Sequence, residues 1–290
     1  MLNVVYDLET NDPDDVFTLC LLAGHPEVEL RGITILPGSA YQVGLVRKVL
    51  DSIYREDVPI AGRNPSHPKK CVSEFHYRWL GDIAPSNITT TPVELLKEIH
   101  SEFKDLVFIT GAAKTNLYEY MSAENPVVEE WVAQGCFAGD NIVPENLILE
   151  KFKGRRTCAT FNFGGNKKAA LYLLSSGNIK KRFLVSKNVC HGMIYDKEMH
   201  ERIKPYRNNN LGIKMIYHGM DEYLQNKPFK MFHDPLAACT AINKNICRFE
   251  EVEPFYESGQ WGSIKKENTN TFISIDVDRD LFEKVLTGRS

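Results

Sequence analysis

Short apolar runs closed by turns alternate with stretches of helical spacing along most of the chain. Residues 2–6 read as a strand, and Val16-Phe17-Thr18-Leu19-Cys20-Leu21-Leu22 as part of a buried helix that ends near Gly24. A second strand spans 29–36 and stops at Pro37-Gly38, with helical spacing over 42–54. The pattern then predicts strands at 58–62, 105–111, 132–135 and 182–186. Helices are predicted over 92–102 and 167–175, and starting at 116 and 235. Strand, helix, strand in series predicts an α/β fold: an open, mostly parallel central sheet flanked by helices, Rossmann-like, built by residues 1–290 as a single domain. No Gly/Ser linker, internal repeat or low-complexity tract interrupts the pattern.

In such folds ligands bind beyond the carboxyl ends of the strands. Four segments fall there: Asp7 to Asp15, Pro37-Gly38-Ser39, Thr110-Gly111 and Phe232-His233-Asp234-Pro235. The first is the most informative. Asp7, Glu9, Asp12, Asp14 and Asp15 crowd one turn and repel each other unless a cation or a cationic substrate sits among them. Asp12 before Pro13 also suits an N-cap followed by proline at the first helical position, so one loop can both cap a helix and hold an ion. Hard carboxylates without Cys or clustered His favour Ca²⁺ or Mg²⁺ over zinc. His233-Asp234 adds a ligand beside a proton carrier, although alone it reads equally well as the cap of a helix starting at Pro235. A metal-held water, a carboxylate base and a histidine acid are the parts for hydrolysis.

Composition narrows the partners. With 290 residues, 43% apolar and 25% charged, the chain has the make-up of an enzyme-sized globular protein. A net charge of -3 gives no basic excess for nucleic acid. The seven cysteines form no C-x-x-C pair and lie mostly in apolar runs, which reads as reduced core thiols of a cytoplasmic protein. The first residues lack a basic start and a small-residue cleavage site, and no apolar stretch approaches the roughly 20 residues that span a bilayer. The expected partner is a small molecule, with neither nucleic acid nor membrane.

Several motifs then follow one another in a specific order. Asp7-Leu8-Glu9 and Asp14-Asp15 follow the first strand. Gly32-Ile33-Thr34-Ile35-Leu36-Pro37-Gly38-Ser39 ends the second, and Val58 to Gly62 forms a Val-Pro-Ile strand. Ile109-Thr110-Gly111 precedes Thr115-Asn116-Leu117. Thr160-Phe161-Asn162, His233-Asp234-Pro235 and Ile275-Asp276-Val277-Asp278-Arg279 complete the series. In this order they resemble, nearly end to end, the inosine-uridine-type nucleoside hydrolases. The resemblance implies a bound Ca²⁺, activation of a water, and cleavage of the N-glycosidic bond of a ribonucleoside or related N-ribosyl compound to free base and ribose. It also implies purine or pyrimidine salvage and a homo-oligomer, dimer or tetramer. By the same resemblance Glu9, Asp15, the carbonyl of Thr110 and Asp234 are the metal ligands. Glu9, with Asp7 as competitor, is the base, and His233 protonates the departing nucleobase. Asp14, Asn162, Thr160 and Ser39 face the sugar. The sequence departs from the family at three places. One extra residue lies in the acidic turn, Thr160 replaces a sugar-binding carboxylate, and Ser39 replaces an asparagine. These bear on substrate more than on reaction type, and a 5′-modified or deoxy sugar suits the loss of charge at Thr160.

Two other readings use the same residues. Asp7-Leu8-Glu9-Thr10 also resembles the first motif of two-metal 3′–5′ exonucleases, with His191 and Asp196 as a late pair. That reading leaves Asp14-Asp15 and His233-Asp234 idle and lacks the basic surface a DNA strand needs. A catalytically altered nucleoside-binding protein suits the changes at Thr160 and Ser39, but not the retained acids. The polar segment 63–91, with His67, His76 and Trp79, has the length of a lid and aromatic rings that could stack on a base. By the resemblance to the nucleoside hydrolases, Trp261 is expected near the base-binding rim.

Overall fold

A computed structural model describes residues 1–289. Twelve strands form among them: β1 (Leu2–Leu8), β2 (Val28–Ile35), β3 (Ile60–Gly62), β4 (Val107–Thr110), β5 (Val128–Gln134), β6 (Thr157–Cys158), β7 (Ile179–Val185), β8 (Ile194–Asp196), β9 (Phe229–Met231), β10 (Cys247–Glu257), β11 (Gln260–Lys265) and β12 (Thr271–Val277). Ten build one sheet in the order β3-β2-β1-β4-β5-β7-β12-β10-β11-β6, and β8 pairs with β9 apart from it. From β3 to β12 every pairing is parallel. The last three strands add an antiparallel extension.

The sheet is covered on both faces, and β1 shows how the sequence achieves this. Val4, Tyr6 and Leu8 pack into one apolar cluster and Val5 into the other, because successive side chains leave a strand on opposite sides. The first cluster is closed by the helices Pro13–Gly24, Leu211–Asn226 and His233–Ile242, through Phe17, Ile216 and Leu236. The second is closed by Pro92–Glu102, Thr115–Glu124 and Lys167–Ser175. Each large apolar side chain buried in this way contributes about 1.5–3 kcal/mol. Helix Pro13–Gly24 lies almost backbone to backbone on Leu211–Asn226. A Cβ on Gly24 would stand 2.3 Å from the Gly212 nitrogen, so this crossing requires glycine.

The order of the strands positions the site. The chain moves outward from β1 to β2 and β3, then returns to the other side of β1 with β4 and β5. The reversal between β1 and β4 opens a crevice at their carboxyl ends, the usual ligand position in open α/β sheets. Asp7 pairs there with Thr34 on one side and Thr110 on the other.

The predicted parallel sheet and its helices form as expected, while several local expectations are corrected. Segment 63–91 is no lid. Its helix Glu74–Leu80 packs Phe75 and Trp79 against Phe17, with ring centroids 5.9 and 5.1 Å away, and His76 is buried. Trp261 is fully buried between Phe163 and Tyr256, at 5.3 and 5.1 Å, and not at a rim. Periodicity did not mark helix Leu211–Asn226 or the β10–β11 hairpin. Among the described residues no helix is long and apolar enough to cross a membrane.

Candidate active site

A cleft of about 330 Å³ opens at the crevice, at the lower end of the range usual for small-molecule sites. Its floor is acidic, and two helix N-termini place the acids. Asp14 and Asp15 occupy the first turn of Pro13–Gly24, and Asp234 the first turn of His233–Ile242. The positive end of each helix dipole favours carboxylates there. Oxygens of Asp14, Asp15 and Asp234 all lie within 4.8 Å of one another. Asp14 also locks the two helices together, because its Oδ2 accepts from the backbone N–H groups of His233 at 3.1 Å and Asp234 at 3.3 Å. Asp15 Oδ1 accepts from the Glu9 backbone N–H at 3.2 Å.

Charge in this floor is unevenly matched. Lys230 Nζ reaches Asp12 at 2.8 Å and Asp14 at 3.1 Å. Burial opposes the charge on Lys230, but Asp14 and Asp12 outweigh it and raise its pKa. Asp15 and Asp234 have no such partner. Burial first, and then the neighbouring acids, push both carboxyls well above the ordinary range. Asp234 Oδ1 is buried without a hydrogen-bond partner among the described residues. Gly111 leaves the space these oxygens face. A Cβ there would stand 2.9 Å from Asp234 Oδ1 and 3.1 Å from Asp15 Oδ1. An orphaned carboxylate oxygen, an all-oxygen donor set and a cradle that one methyl group would fill together suit a hard divalent cation.

The remaining expected residues fall into two groups. Glu9, Asn162, Thr160 and His233 line the cleft together with the three acids. Asn162 Nδ2 donates to Gln134 Oε1 at 2.7 Å, which leaves its own Oδ1 as an acceptor. Asp7, Thr110 and Ser39 do not line it. Asp7 Oδ1 accepts from Thr34 Oγ1 and Asn116 Nδ2, both at 2.7 Å, while its Oδ2 is buried without a partner. Burial raises this carboxyl to about 7 against those two bonds and the charge of Lys114. Glu9 is also raised by burial, against a bond from the Ala113 backbone and the charge of Lys114. Ser39 is engaged by its helix. Its Oγ accepts from the Gln42 backbone N–H at 3.3 Å and donates to the Lys70 carbonyl at 2.7 Å. The Thr110 carbonyl, expected to face a metal, accepts from Lys114 Nζ at 3.2 Å.

Lys114 and Lys230 carried no periodic or motif signal and were missed in the sequence. Lys114 is fully buried, and its ammonium donates to the Thr110, Ala112 and Gln134 carbonyls at 3.2, 2.8 and 3.4 Å. It therefore lends the acids charge but touches none of their oxygens. Burial lowers its pKa to about 8 against the pull of Asp7, Asp234, Glu9 and Asp15. His233 packs against His191, with ring centroids 4.7 Å apart and the rings tilted by 31°. Burial, then Lys230, lowers His233 to about 4, so its 3.8 Å approach to Asp14 Oδ2 is not an ion pair at neutral pH. The late exonuclease pair does not form, because His191 lines this cleft while Asp196 caps helix Lys197–Ile203.

Residues 4–284 match the family model described as inosine-uridine preferring nucleoside hydrolase. Solved structures of similar fold include an inosine-uridine preferring nucleoside hydrolase from Bacillus anthracis, with 16% identity, TM-score 0.72, and coverage of 99% of this chain and 98% of that one. A purine-preferring ribonucleoside hydrolase from Gardnerella vaginalis has 17% identity, TM-score 0.69, and coverage of 99% and 98%. The plant nucleoside hydrolase PpNRh1 has 15% identity, TM-score 0.68, and coverage of 99% of both chains. No curated protein sequence matches the chain.

Proposed function

From the chain's membership of the inosine-uridine preferring nucleoside hydrolase family, which makes it an enzyme that hydrolyses N-glycosidic bonds of nucleosides, we propose that it does so with Ca²⁺ held by Asp14, Asp15 and Asp234. The observation that carries the proposal is the meeting, within 4.8 Å, of carboxylates from opposite ends of the sequence around an orphaned oxygen of Asp234. Glu9 lines the same cleft and is the base.

A bound divalent cation supplies Lewis-acid charge that activates water and orients sugar hydroxyls. The residues around it account for the other requirements. Glu9 takes the proton of the attacking water. Its raised pKa lets it accept that proton more readily than an ordinary carboxylate would. Departure of the base from C1′ builds positive charge on the ribose ring. The acidic floor stabilises that charge, and Asp14 and Asp15 need little reorganisation, because Asp14 Oδ2 already accepts from the His233 and Asp234 backbone N–H groups and Asp15 Oδ1 from that of Glu9. Asn162 Oδ1 accepts a sugar hydroxyl. His233 lines the same cleft and delivers a proton to the leaving base.

The same reading carries a salvage role, a homo-oligomeric assembly, and a reducing compartment such as the cytoplasm for seven unpaired cysteines. It is tested by elemental analysis of the purified protein together with base release from a panel of ribonucleosides. One calcium per chain and release of free base are expected, and Glu9→Gln should stop release while keeping the calcium. A metal-free protein that cleaves at full rate in chelator would overturn the assignment of the cation.

A further inference from the structure

One wall of the cleft plays no part in the chemistry above. Lys187 and His191 belong to the turn after β7, where the His191 backbone N–H donates to the Lys187 carbonyl at 3.2 Å. One helical turn apart, they share a face, and both line the cleft. The Lys187 ammonium donates to the Ala159 carbonyl at 2.7 Å, which engages one of its three protons. The next residue is Thr160, which lines the cleft, is 6% exposed and keeps a buried hydroxyl without a partner among the described residues. Behind His191, Lys151 Nζ lies 2.7 Å from the ring Nδ1. An ammonium can only donate, so Nδ1 accepts and the ring proton sits on Nε2.

The wall thus offers an ammonium, an imidazole N–H and a hydroxyl, all without a carboxylate. The acids of the cleft, Glu9, Asp12, Asp14, Asp15 and Asp234, come from the turn after β1 and from helix His233–Ile242. A neutral nucleoside would bring hydroxyl and carbonyl acceptors but no charge to match the ammonium, whereas an anionic group on the substrate would match charge and donors together. Thr160 lies two residues from Asn162 on one short turn. If Asn162 takes a sugar hydroxyl, the anion belongs to the sugar and not to the base.

The geometry points to a phosphate subsite formed by Lys187, Thr160 and His191, which makes nucleoside 5′-monophosphates the preferred substrate class. This rests on the hydrolase reading and extends it. Water adds across the bond between C1′ and the base nitrogen, the base leaves with a proton, and ribose 5-phosphate is released with its phosphate ester intact. Lys187 holds the phosphate as a point charge, and charge-assisted bonds of this kind are the stronger ones.

The test compares uridine and inosine with their 5′-monophosphates, and with orotidine as a nucleoside that carries its anion on the base. Calorimetry of ribose and ribose 5-phosphate runs in parallel. The monophosphates are expected to exceed the nucleosides in kcat/KM by about 10- to 100-fold, the effect of one or two charge-assisted bonds. Lys187→Met should bring that ratio close to one and Lys187→Arg should keep most of it. Ribose 5-phosphate should bind more tightly than ribose by a similar factor, again only while position 187 is basic. A preference for the nucleosides or for orotidine, or a ratio indifferent to Lys187→Met, would overturn the subsite. If nothing is cleaved but ribose 5-phosphate keeps its Lys187-dependent advantage, the subsite stands and the hydrolase reading fails.

Discussion

Lys230 Nζ lies 3.1 Å from Asp14 Oδ1, and this contact balances the one floor acid that also ties two helices together. Both side chains are nearly excluded from solvent, at 7% and 2% exposure. Lys230→Met therefore leaves a buried carboxylate without its counter-charge. Removing one partner of such a pair typically costs about 3–5 kcal/mol. Urea unfolding should show a loss near the lower value, since Asp12 is half exposed and water screens that share of the network. A loss below about 1 kcal/mol would mean that another cation takes over the role of Lys230.

Gly111→Ala tests the cradle without touching a charge. The added methyl group would meet Asp234 Oδ1 at 2.9 Å, Tyr6 Oη at 3.0 Å and Asp15 Oδ1 at 3.1 Å. The fold should survive with a small drop in melting temperature, while calcium affinity measured by calorimetry should fall about tenfold or more. Unchanged affinity would place the cation elsewhere.

Asp7 makes stability depend on pH in a direction opposite to most paired carboxylates. Burial raises its folded-state pKa from 3.8 to about 7, so between those values the folded chain holds a proton that the unfolded chain has released. Stability must then fall as pH rises from about 4 to 7 and level off above. Asp15 and Asp234 are shifted the same way and add to the trend. Thermal unfolding in chelator should show it, and saturating calcium should flatten it by stabilising the ionised acids. A melting temperature that climbs with pH in chelator would contradict the buried, unmatched acids.

His233 lowered to about 4 sets the pH profile of base release. As the acid, it gains its proton only as pH falls toward that value, so natural nucleosides should react faster as pH drops below neutrality, and the gain should end where Glu9, raised by burial, takes up its own proton and stops acting as the base. His233→Ala should slow them about 10²–10⁴-fold, the usual effect of a general acid. A nitrophenyl riboside, whose leaving group needs no proton, should be affected far less. Equal losses on both substrates would remove His233 from the acid role.

The sequence by itself determined the parallel α/β sheet and the acidic turn after β1. Both are local: alternation of apolar residues sets the strands, and five carboxylates within one turn need no tertiary contact to be noticed. His233-Asp234 was legible as a ligand beside a proton carrier or as a helix cap, and the fold brings its carboxylate to the acidic turn. What the sequence could not carry was which acids face solvent space and which are held beneath it. Asp7 and Glu9 are two residues apart and chemically alike. Only the bonds from Thr34 and Asn116 fix Asp7 below the floor, while Glu9 lines the cleft. Ser39 has the look of a sugar ligand, yet its hydroxyl closes a capping box. Nothing in the sequence sets Lys114 and Lys230 apart from other lysines, and it is the fold that buries them. The charge on a lysine gains its meaning from the dielectric and the neighbours that distant segments supply, and spacing along the chain encodes neither.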